Sequence, residues 1–154
     1  MKDCCPRNIT AFKSEVNQIL GRLFSQYYNI TFLSLVDDNG IIVDFQMHTN
    51  NQSGDVRKKL EDVLKKTLDF KISTTKVAKI MGFETSKETF TRGDSHIIIT
   101  YDIDKYLLVV YIEMSKALID VFDFEKFNEK IELILIDLKK KINSLQSDKE
   151  IEEL

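Results

Sequence analysis

The residue types that most often do chemistry in proteins are few in this sequence and lie far apart. The two histidines, His48 and His96, have no second histidine or cysteine at the spacing of a zinc site. Four candidate carboxylates fall into two short segments with turn-like composition: Asp37, Asp38, Asp102 and Asp104. Aspartate is expected in turns because its carboxylate accepts hydrogen bonds from nearby backbone N–H groups. These residues therefore predict turns, with no metal and no catalytic residue among them.

Phosphate and nucleic-acid chemistry also lack support. The five glycines are scattered, and none begins a GxxxxGK or GxGxxG phosphate loop. The formal charge of −3 argues against a nucleic-acid partner, which selects basic surfaces. The adjacent residues Cys4 and Cys5 strain a mutual disulfide, so we expect reduced thiols. The sequence predicts a protein without a cofactor and without enzymatic activity.

Among the elements that would position these residues, the clearest local signal is a hairpin. The runs 31–36 and 41–45 are rich in β-branched and aromatic residues, and Asp37-Asp38-Asn39-Gly40 joins them. Asn39-Gly40 is typical of a type I′ turn, in which both central residues have positive φ. The runs 96–101 and 106–112 are almost continuously apolar, which predicts central strands covered on both faces. The segment 83–91 is charged and threonine-rich, which favours an edge strand.

Apolar residues with helical spacing predict three helices. The first follows a cap at Asn8, the second contains the segment 56–68, and the third begins after Asp120 or Asp123 and runs to Leu145. The segment 71–81 after the second helix is either a helical extension or an insertion. No run of ~18 apolar residues is present, so we expect no membrane insertion. We predict three parts: a flexible segment 1–7, one domain at 8–145 and an acidic tail at 146–154.

The predicted order is α-β-β-α-β-β-β-α, an α+β fold in which a five-stranded antiparallel sheet lies inside a three-layer α/β/α sandwich. This order resembles the Roadblock/dynein light chain family, through the 37–40 hairpin and the block 96–112 followed by the helix 124–145. The family includes regulators of GTPases and scaffolding proteins. Longin domains are the nearest alternative, but their chains begin with strands, whereas a helix precedes the first hairpin here.

The resemblance implies that the second helix lies alone on one sheet face and that dimers form through this helix and the third strand. An unpaired edge strand is suited to pairing with its own copy. The expected dimer or partner interface comprises Val56, Leu60, Val63, Leu64, Leu68, Glu88, Thr89, Phe90 and Thr91. The alternative that the five helix residues form only intramolecular core stays open. Basic residues expected to face an acidic GTPase surface are Arg57, Lys58, Lys65 and Lys66.

The resulting hypothesis is a cytoplasmic homodimer, or a heterodimer with another Roadblock chain. It binds or regulates a small Ras-like GTPase, or acts as a scaffold for complexes that contain one. No targeting signal is visible at the start of the sequence. Two alternatives are a small-molecule sensory domain and a longin-like trafficking adaptor.

Overall fold

A computed structural model describes the backbone of residues 4–26, 30–47, 54–82 and 88–153. Side chains are described for residues 11–26, 30–47, 58, 60–82 and 88–144. The elements are α1 (Cys4–Gln26), β1 (Ile30–Asp37), β2 (Ile42–Met47), α2 (Gly54–Ile80), β3 (Glu88–Arg92), β4 (His96–Ile103), β5 (Tyr106–Glu113), α3 (Lys116–Asp120) and α4 (Phe124–Glu153). The predicted α+β class and the order of the main elements are confirmed. The short helix α3 is an addition that the sequence analysis did not predict.

The five strands form one antiparallel sheet in the order β2-β1-β5-β4-β3. The apolar strands β5 and β4 occupy inner positions, as their composition predicts. The strands at the two ends are β2 and β3, so the expectation of an edge strand before β4 is confirmed. Residues 83–87, the first part of the predicted strand, lie outside the described residues.

Helices cover the two sheet faces unequally. The larger buried cluster joins α1 and α4 to one face and contains Leu20, Leu23, Leu33, Ile99, Val110 and Leu138. The smaller cluster joins α2 to the other face and contains Phe32, Val36, Leu60, Leu64, Leu107, Val109 and Tyr111. This arrangement is the predicted three-layer sandwich, with α2 on its own face of the sheet among the described helices.

The first hairpin forms where predicted, but its turn differs from the predicted type. Gly40 has a φ of 82°, whereas Asn39 does not have a positive φ, so the type I′ prediction is wrong. The Asp37 carboxylate accepts hydrogen bonds from the backbone N–H groups of Asn39 (2.9 Å) and Ile41 (2.8 Å). These bonds stabilise a three-residue loop that ends in a left-handed glycine.

Helix boundaries differ from the predicted ones mostly by extension. Helix α1 begins at Cys4 rather than near Asn8, because Pro6 is tolerated in the first turn of a helix. Helix α2 continues to Ile80, so the segment 71–81 is mainly a helical extension. Helix α4 begins at a cap in which the Asp123 carboxylate accepts the Lys126 N–H at 3.1 Å, one of the two predicted caps. It continues to Glu153, through most of the predicted acidic tail.

Among the residues that the structure describes, no helix has the length and apolar character needed to cross a bilayer.

Candidate functional site

The residues with potential chemistry have structural partners. The ring of His96 stacks on Tyr111 with the ring centroids 5.9 Å apart. The Asp102 carboxylate forms a salt bridge with Lys71 at 2.8 Å, which ties α2 to the end of β4. Within the described ranges, no three His, Cys, Asp or Glu side chains lie close enough to hold a metal ion. His48 lies outside these ranges.

Helix α2 buries one line of leucines against its own sheet. Leu60 and Leu64 have 5% and 6% of their surface exposed and belong to the smaller cluster, with Phe32 and Val109. Val63 and Leu68 are half-buried at the margin of that cluster. Of the helix residues expected at an interface, Leu60 and Leu64 therefore form intramolecular core, the alternative that the sequence left open for them. The side chain of Val56 is outside the described residues.

The edge strand β3 presents different residues to the two sheet faces. Thr89 and Thr91 face α2, and the Thr89 hydroxyl is hydrogen-bonded to the Thr100 hydroxyl on β4. Phe90 packs on the opposite face, where its ring lies 4.8 Å from the ring of Phe124 between centroids. Glu88 lies on that same face, next to Tyr101. Of the strand residues predicted at the interface, only Thr89 and Thr91 therefore border α2.

A cavity of about 290 Å³ lies between α2 and the β3 end of the sheet. Its lining residues are mostly apolar or threonine: Val63, Lys66, Thr67, Phe70, Thr89, Thr91, Ile98 and Thr100. Phe70 at its rim has 57% of its surface exposed. The sequence analysis did not select Phe70, although it lies seven residues after Val63 and seven before Val77, a spacing that places all three on one helical stripe.

A second cavity of about 480 Å³ lies on the other flank of α2, against the first hairpin. Residues from the hairpin and from α2 line it: Val36, Asn39, Gly40, Ile42, Glu61, Leu64, Lys65, Leu68 and Asp69. Lys65 borders this cavity, whereas Lys66 borders the first one. The predicted basic residues are therefore divided between two flanks. Lys58 is exposed, and the Arg57 side chain is outside the described residues.

Buried tyrosines on the two faces have altered acidities. Burial, followed by the hydrogen bond that the Tyr111 hydroxyl donates to Glu113 and the charge of that carboxylate, raises the pKa of Tyr111 to about 12. Burial, with a smaller effect of the Glu88 charge, raises the pKa of Tyr101. Because their pKa values are raised, both hydroxyls are neutral at neutral pH and can donate hydrogen bonds. The Tyr101 hydroxyl donates to the Asn128 side chain.

Comparison with known proteins identifies the fold. No protein-family model matches the sequence, and no curated protein matches it. MglB from Myxococcus xanthus is similar in structure, with 20% sequence identity, a TM-score of 0.64, and coverage of 86% of this chain and 91% of that chain. The gliding protein MglB from Thermus thermophilus is 12% identical, with a TM-score of 0.69 and coverage of 87% of this chain and 93% of that chain.

A Roadblock/LC7 domain from Streptomyces avermitilis is also similar, with 11% identity, a TM-score of 0.51, and coverage of 77% of this chain and 93% of that chain. The chain therefore has a Roadblock-like fold, as the order of its elements implies. Because these sequence identities are low, the structural likeness identifies the fold of the chain and nothing more.

Proposed function

We propose that this protein is a non-enzymatic interaction module that works as a dimer. It binds or regulates a small Ras-like GTPase, or holds such a GTPase within a larger complex. The observation that carries this proposal is the unequal covering of the sheet, because α2 lies on its face with an exposed flank and a cavity beside it. Exposed apolar surface of this kind, next to an edge strand, is typical of protein interaction sites.

The GTPase part of the proposal comes from the Roadblock-like fold and from the charge of α2. Basic residues outnumber acidic ones in α2, although the whole chain has a formal charge of −3. Exposed lysines such as Lys58 and Lys65 would speed association with an acidic partner surface.

The contacts of the described arginines favour regulation through the partner's own switch loops over insertion of a catalytic arginine into the GTPase. Arg92 lies over the ring of Phe90 at 5.3 Å, and it donates a hydrogen bond to the carbonyl of Phe122. Arg22 forms a salt bridge with Asp137 at 3.4 Å. Both described guanidinium groups therefore have intramolecular partners. A module of this kind acts by selecting one conformation of the GTPase switch loops.

The organisation expected from the sequence is part of the same proposal. The single Roadblock-like domain is centred on residues 8–145, α1 and α4 extend it to Cys4 and to Glu153, and the protein acts in the cytoplasm. The longin-like alternative fits less well, because α1 precedes β1 and longin chains begin with strands.

Binding to a panel of small Ras-like GTPases tests the proposal. Each GTPase is loaded with GDP or with a non-hydrolysable GTP analogue and titrated against the wild-type chain. We expect one GTPase to bind with a preference for one nucleotide state, and Lys58→Glu with Lys65→Glu to weaken that binding. Lys126→Glu, on α4, is the matched charge control and should have little effect. Absence of binding across the panel in both nucleotide states would contradict the GTPase assignment.

A small-molecule sensory domain is the second candidate, favoured by the cavity of about 480 Å³ between α2 and the first hairpin. Ligand pockets commonly range from about 300 to 1,000 Å³. Native mass spectrometry of the purified protein separates the candidates, because a retained small ligand would add a fixed mass to each chain. Loss of that added mass in Leu68→Trp, which fills the cavity, would locate the ligand there.

A further inference from the structure

The side of helix α4 that faces away from the sheet carries two large apolar residues. Leu133 is 75% exposed and Ile136 is 40% exposed. The buried residues of the same helix form a separate line that packs on the sheet: Phe127, Ile131, Ile134, Leu138 and Ile142. Because an α-helix turns by about 100° per residue, Leu133 and Ile136 lie roughly opposite this buried line.

Two charged residues continue the line of Leu133 and Ile136 in both directions. Glu129 lies one turn before Leu133, Lys140 lies one turn after Ile136, and both are exposed. Steps of four, three and four residues connect the four positions, which is the spacing with which one helix packs along another. Glu129 and Lys140 lie about 16 Å apart along the helix axis, so they cannot pair with each other within one chain. We call Glu129, Leu133, Ile136 and Lys140 the α4 stripe.

Salt bridges to α1 are formed from the flank of α4 and not from the α4 stripe. Asp137 pairs with Arg22 at 3.4 Å, and Lys141 pairs with Glu15 at 3.3 Å. Each of these two α4 residues directly follows a residue of the stripe, so it points about 100° away from it around the helix. Helix α4 therefore contacts α1 sideways, while the α4 stripe is presented to a partner in front of it.

The α4 stripe is complementary to itself when the helix direction is reversed. Its order is acidic, apolar, apolar and basic. In an antiparallel pair of helices in which Leu133 lies opposite Ile136, Glu129 lies opposite Lys140 of the other helix. We infer that the α4 stripe binds the α4 stripe of a second copy of this chain, with the two helices antiparallel. Each of these contacts then occurs twice, with the roles of the two copies exchanged.

Other alignments of the two helices bring unfavourable pairs together. A parallel pair in register places Glu129 opposite Glu129 and Lys140 opposite Lys140, and like charges repel. An antiparallel pair that is shifted by one heptad places Leu133 opposite Glu129, or Ile136 opposite Lys140. The residues of the α4 stripe therefore favour one direction and one register, as charged positions do in specific helix pairs.

This contact goes beyond the proposed function and does not depend on it. Helix α4 packs on the sheet face opposite to the one that α2 covers. A contact through the α4 stripe therefore leaves α2 free, so the two associations can exist together and join one α2 dimer to another. Because the α4 stripe has only two apolar residues in each copy, we expect it to form the weaker of the two contacts.

The test measures solution mass by analytical ultracentrifugation from low micromolar to submillimolar protein. We expect the mass of the wild type to rise above twice 17.9 kDa at the highest concentrations. Leu133→Asp should remove this rise, with a Kd for the α4 contact that is weaker by about 30-fold or more, as for a hot-spot residue. Lys139→Glu is the control, because Lys139 is an exposed lysine next to Lys140 but lies outside the α4 stripe. Circular dichroism checks that each variant is folded.

Charge reversals test the direction and register of the helix pair. Glu129→Lys makes both charged positions of the stripe basic, and Lys140→Glu makes both acidic. Each variant alone should self-associate several-fold more weakly than the wild type, because like charges then meet. An equimolar mixture of the two variants should recover the wild-type association, since every pair of positions 129 and 140 then joins opposite charges.

The outcomes separate the α4 contact from the proposed α2 dimer. A wild type that stops at twice 17.9 kDa, with Leu133→Asp unchanged, would overturn the α4 contact and leave the α2 dimer intact. A mixture of charge variants that stays as weak as each variant alone would overturn the antiparallel register. A wild-type dimer that Leu133→Asp converts to a monomer would support the α4 contact and contradict the α2 dimer. A wild type that is monomeric at every concentration would overturn both.

Discussion

Two stripes of helix α2 lie in different environments. Leu60 and Leu64 pack into the sheet beneath the helix and are almost completely buried. Phe70 and Val77 lie on the neighbouring stripe, and more than half of each side chain is exposed. Because the two leucines are buried within one chain, their burial contributes to the free energy of folding. The exposed stripe, by contrast, is available for association.

A charge on the buried stripe should have the largest effect. Leu64→Asp places an unpaired carboxylate against Phe32, Val109 and Tyr111, and an uncompensated buried charge costs several kcal/mol. Because small domains are only marginally stable, we expect loss of the cooperative melting transition. Circular dichroism with thermal melting measures it.

Leu64→Ala is the milder companion variant and should lower the free energy of unfolding by about 2–5 kcal/mol in a denaturant titration. If Leu64→Asp instead gave folded monomers, Leu64 would belong to the association stripe, and the comparison between the two stripes would fail.

A charge exchange at the edge of the exposed stripe should have an intermediate effect. In the proposed dimer, Lys66→Glu adds a negative charge beside Asp62 and Asp69 on the exposed side of α2, so dimerisation should weaken several-fold, with the free energy of unfolding little changed. The double variant Lys66→Glu with Asp69→Lys restores opposite signs and should recover most of the affinity. Sedimentation at two protein concentrations gives the dissociation constants. Additive losses in the double variant would show that these two residues do not act as a pair.

Ionisation of a tyrosine beneath α2 should have the smallest effect and concerns the buried stripe alone. The folded state raises the pKa of Tyr111 to about 12 from 10.0. The folded protein therefore retains this proton more strongly than the unfolded chain does. The resulting stabilisation is complete below pH 10 and is lost as the pH rises from 10 to 12. Alkaline titrations of urea unfolding should show a steeper loss for the wild type than for Tyr111→Phe.

An equal loss of stability in Tyr111→Phe over that pH range would assign the alkaline transition to another group. Tyr101, whose pKa is also raised, is the first alternative, and Tyr101→Phe distinguishes the two.

The sequence identified the elements whose local signals agree with their tertiary environment. The hairpin at 37–41 formed because turn residues separate two apolar runs, and Asp123 caps α4 as its position before Phe124 predicts. The continuous apolar runs in β4 and β5 correctly indicated inner strands. These signals are local in sequence, so they can be interpreted without knowing which elements pack against each other.

The two stripes of α2 were harder to separate from sequence. A repeat of 3.5 residues and a helical period of 3.6 select overlapping sets, so the sequence places Val56, Leu60, Val63, Leu64 and Leu68 in one group. The sheet contact then separates them, because Leu60 and Leu64 face Phe32 while Val63 and Phe70 face the β3 side. The five-residue helix α3 was also missed, since its Ser115 start has no side-chain cap hydrogen bond to mark it.

The most direct test of the central claim is the solution mass of the wild-type protein, measured by light scattering as it elutes from a size-exclusion column. Association through the exposed stripe of α2 predicts a mass of twice 17.9 kDa. A mass of 17.9 kDa that persists at the highest concentration reached would contradict the claim.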